Sequence, residues 1–101
     1  MLTRKIARKY VSDFLTILVS DFGYNPSRVM IFGSVAKGKA HAHSDIDVAI
    51  WDSKFTGCGP IDCEPIARLL NQFPLIELHY FEEGEGKDYN PFICEIEKEG
   101  F

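Results

Sequence analysis

No run of about 20 apolar residues occurs in the chain, and no apolar leader opens it, so neither a membrane-spanning helix nor a secretion signal is expected. An excess of basic residues is missing as well. Eleven Lys and Arg stand against 15 Asp and Glu, giving a net charge of −4 and a pI near 5.3. Affinity for long nucleic acids comes from Lys and Arg neutralising phosphates, so such a partner is not expected. Cysteine is scarce: Cys58, Cys63 and Cys94 are odd in number and irregular in spacing, which excludes a disulfide framework and fits a reducing cytoplasm. A zinc site built from Cys58 and Cys63 with His41 and His43 is disfavoured by the wide C-x4-C spacing. There is no internal repeat and no low-complexity linker, and 101 residues leave room for a single domain, 1–101.

What is present is a hydrophobic share of 46% arranged in regular patterns. Between Thr3 and Phe22, the residues Ala7, Val11, Phe14, Leu15, Leu18 and Phe22 recur at three- and four-residue steps, the stripe of an amphipathic helix that Gly23 closes. Asn25-Pro26-Ser27 forces a turn. Arg28–Phe32 is a short β-favouring run ending at Gly33, and Ser34–Lys37 can open a brief helix that stops at Gly38. From Asp45 to Trp51 the period is two: Ile46, Val48 and Ile50 point one way, Asp45, Asp47 and Ala49 the other. Residues 52–62, with Gly57, Gly59 and Pro60, read as a loop before a helix over Cys63–Asn71. A third strand over Leu75–Phe81 puts Ile76, Leu78 and Tyr80 on one face, Glu77 and His79 on the other. The acidic Gly-rich stretch Glu82–Asp88 leads to a last helix, with Asn90 as cap, Pro91 in its first turn and Gly100 beyond its end.

The chemistry gathers at two places. Gly33-Ser34 follows a strand and begins a helical turn, which aims backbone N–H groups at one spot suited to phosphate. Ten residues later, Asp45 and Asp47 share one face of a strand. Residues i and i+2 lie about 6.5 Å apart along a strand, so their carboxylates can converge on a pair of hard cations. An Asp-x-Asp alone is more often a solvated edge or a turn cap. Here two acids are embedded in a strongly β-like run, a third, Glu77, lies mid-strand, and the phosphate turn precedes both. Like charges on one sheet face are costly without a cation, and all-oxygen ligands favour magnesium over zinc.

These residues resemble the polymerase β-like nucleotidyltransferases, and especially the minimal nucleotidyltransferases of bacteria and archaea. The shared pattern is Gly-Ser-x10-Asp-x-Asp, carried by Gly33, Ser34, Asp45 and Asp47; the likeness runs from about Val29 to Phe81, with 90–100 similar to the closing helix of short members. It implies an α/β fold with a small, mixed, mostly antiparallel sheet, helices on one face and the site on the other. It further implies that Gly33 and Ser34 hold the β- and γ-phosphates of a nucleoside triphosphate, that Asp45, Asp47 and Glu77 bind two magnesium ions, and that Glu77 helps activate an acceptor hydroxyl as general base. Glu77 stands where the family often has Asp. Lys37 occupies a position where relatives often carry a basic residue able to neutralise the triphosphate, while Lys39 reads as a solvated lysine.

The reaction implied is transfer of a nucleoside monophosphate, AMP from ATP, to a hydroxyl with release of pyrophosphate. Short relatives are often paired with an all-helical HEPN-type toxin, and the absence of an acceptor domain makes such a partner, or a homo-oligomer, the expected source of the acceptor. Two other readings stay open: a noncatalytic antitoxin that neutralises a helical partner by contact, and adenylylation of a small molecule such as an aminoglycoside. His79, Trp51 and Tyr80 are expected to serve packing, His79 with a backbone partner.

Overall fold

The computed structural model describes residues 3–38, 45–86, 88 and 90–101. Its elements run α1 (Arg4–Ser20), β1 (Arg28–Phe32), β2 (Ile46–Asp52), α2 (Gly59–Cys63), a 3-10 turn (Glu64–Ile66), α3 (Ala67–Gln72), β3 (Ile76–Glu82) and α4 (Pro91–Glu99). Thr3 starts α1: its hydroxyl accepts the Ile6 N–H at 3.2 Å, which satisfies one of the donors that a helix start leaves free. The predicted stripe is the buried one, Ala7, Val11, Phe14 and Leu18.

The sheet has three strands in the order β1-β2-β3. β1 and β2 are antiparallel, β2 and β3 parallel, so the sheet is mixed as expected, with one pairing of each kind in place of an antiparallel majority. A hairpin cannot join parallel strands; the crossover here is α2, the 3-10 turn and α3. Ile31, Ile46, Val48 and Ile50 pack with α1 and with Ile66 and Leu69 of the crossover. On the opposite face Phe32, Ala49, Trp51 and Phe81 pack with Ile93 and Ile96 of α4. Thus α1 and the crossover cover the face expected to carry helices, and α4 covers part of the other. Burial on both sides makes β2 the core of the domain: Ile46, Val48, Ala49 and Ile50 are fully inaccessible. Each buried Val or Ile there contributes about 1.5–3 kcal/mol.

Two local readings are corrected. Ser34–Lys37 forms no regular helix; single bonds from Lys37 N to Gly33 O (3.1 Å) and Gly38 N to Val35 O (3.2 Å) make a compact turn. Conversely, Gly59–Cys63 is helical where a loop is expected. Pro60 reads as a breaker, yet in a first turn its missing N–H costs nothing. The buried Asp62 carboxylate then ties down the approach, accepting from Thr56 N, Thr56 Oγ1 and Gly57 N, each at 2.8 Å.

Candidate active site

Register brings the acids together. On the face shared with α4, Asp47 of β2 lies directly opposite Glu77 of β3, and Ala49 opposite His79. Two carboxylates paired across neighbouring strands repel each other. The effect shows on Glu77, whose pKa is raised chiefly by its hydrogen bond with Asp47. The charge of Asp47 and partial burial push the same way, His79 offsets part of the rise, and Asp45 adds to it. Glu77 therefore keeps its proton more readily than a free glutamate, and a cation between it and Asp47 would relieve the same repulsion. Asp45 stands exposed just before β2, within electrostatic reach of Glu77. Tightest is the set Asp47, Glu77 and His79, one ligand atom from each lying within 4.8 Å of the others.

Gly33 closes this site from the β1 side. It has φ +76°, a conformation in which a side chain is strained, and a Cβ there would overlap Asp47 Oδ2 and lie 3.0 Å from Asp47 Cγ. The glycine is thus needed twice, for the turn and for the close passage of its backbone over the aspartate. The turn that follows is held by the Arg4 guanidinium, which donates to Ala36 O. Ser34 is half-buried within it, directly after the glycine.

The donors expected to meet phosphate already face a carboxylate. Glu99, at the end of α4, accepts the Gly33 N–H at 3.3 Å and pairs with Lys37 Nζ at 3.1 Å. It is brought there because Gly100 and Phe101 run against β1: Ile31 and Phe101 exchange both backbone bonds, at 2.8 and 2.9 Å. Arg4 and Arg8 lie over the Phe101 ring at 4.7 and 4.8 Å. Lys37 thus lies beside the glycine turn, paired with Glu99, while Lys39 lies outside the described residues, as do His41 and His43 of the disfavoured zinc set.

His79 corrects the expectation of a backbone partner. Its Nε2 faces Asp47 Oδ1 at 3.4 Å. The rings of Phe32 (4.8 Å) and Phe92 (5.6 Å) flank the imidazole. Trp51 and Tyr80 serve packing as expected; Trp51 stacks on Phe81 at 5.0 Å and donates its indole N–H to Glu85 O at 2.6 Å. Glu99 reads in the sequence only as part of an acidic C-terminal end, not as a site residue, although a signal exists. With Phe92 and Ile96 it forms an i, i+4, i+7 series, so an acid continues the apolar stripe of α4.

A central strand carrying an aspartate, a neighbouring strand carrying a second acid in register, and a glycine corner pressed on that aspartate together mark one face of a small α/β domain. The family described as "Polymerase beta, Nucleotidyltransferase" matches residues 17–80, more than half of the chain, and the chain belongs to it. Among solved structures, a Sulfolobus solfataricus protein described as a candidate nucleotidyltransferase has the same fold, with a TM-score of 0.62 and 21% identity over 92% of this chain and 75% of that one. No curated protein matches the sequence. No helix among the described residues is long and apolar enough to cross a membrane.

Proposed function

We propose that the chain is a magnesium-dependent nucleotidyltransferase that moves AMP from ATP to an acceptor hydroxyl. The observation that supports this most directly is the in-register pair of Asp47 and Glu77 beneath the Gly33 turn. The donor set fits hard dications: the pair carries mutual repulsion that a cation would relieve, and its ligands are chiefly oxygens. Asp45, Asp47 and Glu77 would hold the magnesium ions, which supply charge neutralisation and alignment for an in-line displacement.

The chain's own groups have separate tasks. The N–H of Gly33, with Ser34 and Lys37, binds the β- and γ-phosphates after Glu99 moves aside. The acceptor oxygen forms its bond to the α-phosphorus as the bond from that phosphorus to the β-bridging oxygen breaks, and pyrophosphate leaves. The proton of the acceptor hydroxyl passes to Glu77, the carboxylate that stands opposite Asp47 on the neighbouring strand. Phe32 and Phe92 form the apolar edge of the site near His79. In this reading the acceptor belongs to a small all-helical partner of HEPN type, of the kind with which short members of the resembling group are often paired.

Incubation with α-labelled ATP, Mg²⁺ and such a partner is expected to label the partner. Label that persists in an Asp45→Asn, Asp47→Asn double variant refutes the roles given to these residues. ATP and Mg²⁺ that neither label a partner nor raise the melting temperature point to neutralisation by contact alone.

A further inference from the structure

We propose that His79 is a metal ligand, and that the cation position shared by Asp47, Glu77 and His79 selects a first-row transition dication such as Mn²⁺ over Mg²⁺. The inference rests on the nucleotidyl-transfer reading of the same site and assigns the kind of cation that one of its positions takes.

Three features carry it. First, the imidazole is aimed: Nε2 points at Asp47 Oδ1 from 3.4 Å. Two ligands at right angles around a cation with bonds of 2.0–2.1 Å lie about 3 Å apart, so a small closing movement lets one ion touch both. Second, the ring is held. Phe32 from β1 and Phe92 from α4 flank it, so the nitrogen is presented with little rotamer freedom to lose. Third, the donor set is mixed. Asp47, Glu77 and His79 each supply one atom within 4.8 Å of the others, two oxygens and one nitrogen. Mg²⁺ prefers oxygen throughout, whereas imidazole suits Mn²⁺, Co²⁺ and Zn²⁺ increasingly well. Of these, Mn²⁺ also accepts carboxylate and phosphate oxygens readily, which makes it the choice for this mixed donor set. A histidine that only oriented Asp47 would leave the cation all-oxygen, so the two roles separate by spectroscopy.

The experiment is electron spin-echo spectroscopy of Mn²⁺ added to the whole chain, beside calorimetric titration of Mn²⁺ and Mg²⁺. Nitrogen-14 modulation on bound Mn²⁺ is expected, converted to a nitrogen-15 pattern when the protein carries ¹⁵N-histidine and lost in His79→Gln. That variant should bind Mn²⁺ roughly tenfold more weakly and leave Mg²⁺ within about threefold. His79→Asp, which restores oxygen, should turn the preference toward Mg²⁺. Bound Mn²⁺ without nitrogen modulation, or modulation that survives His79→Gln, overturns the inference; the isotope arm needs no variant to fold. If Asp47→Asn and Glu77→Gln abolish Mn²⁺ binding while nitrogen is absent, only the role of His79 falls. If those variants bind as tightly as the native chain, the metal site fails and the inference with it.

Discussion

Substituting Gly33 by alanine separates the two reasons why a glycine stands there, because Gly38 supplies the control. Both residues have positive φ, +76° and +71°. At Gly38 an added Cβ meets nothing within 4 Å; at Gly33 it overlaps Asp47 Oδ2 and lies 3.0 Å from Asp47 Cγ. The left-handed backbone costs a non-glycine residue about 1–2 kcal/mol at either site. In a domain of this size that lowers the melting temperature by roughly 4–16 °C. Only at Gly33 must something else give way. The overlap with Oδ2 is tighter still than that with Cγ, and unbonded heavy atoms rest at well over ~3 Å, so the carboxylate has to retreat by on the order of 1 Å. A displacement of that order in a reacting group costs about 100-fold in rate. Gly38→Ala should therefore lose stability alone, and Gly33→Ala should lose stability together with Mn²⁺ affinity and nucleotidyl transfer. Thermal melts and calorimetric titration of the two variants decide the matter. Equal metal affinity in the two variants would refute the claim that the glycine backbone makes room for Asp47.

Three further outcomes are expected. Because Glu77 titrates above its ordinary value near 4.5, the folded metal-free chain binds more protons than the unfolded one in that window; stability should fall as pH rises through it, and the slope should flatten in Glu77→Gln or with saturating Mn²⁺, as read from melts across pH. Asp62→Ala strips three bonds from a buried cap; a loss of about 2–4 kcal/mol in urea unfolding is expected, with metal affinity retained. Glu99→Gln removes the charge that faces Gly33 and Lys37; ATP should bind about two- to fivefold more tightly by equilibrium dialysis, since a partly exposed ion pair is worth up to about 1 kcal/mol.

How far the sequence can be read differs from residue to residue. The faces of β2 and β3 follow from period two, and with them the side on which Asp47 and Glu77 emerge. That the two lie opposite each other does not follow, because register in a parallel pair depends on the length and packing of the crossover. Asn90 and Pro91 announce α4 locally, and Asn90 Oδ1 does accept the Phe92 N–H at 3.0 Å. Pro60 and the glycines around it hide α2, since the same residues serve turns and helix starts. His79 was visible on the Glu77 face, but its partner lies 32 residues away. Glu99 reaches Gly33 across 66 residues, and only its misfit with the stripe of α4 could have pointed to it. Local chemistry is legible in a single chain; meetings between distant segments come from packing.

Asp47 rides on β2, which has a strand along each edge and helices above and below. Amides in such a segment exchange with solvent only when the whole domain opens. β3 lies at the edge of the sheet, and Phe92 at the start of α4 is exposed. Regulation by a bound partner would therefore act by lifting or pressing the periphery, while the anchor of the chemistry stays fixed for as long as the chain remains folded.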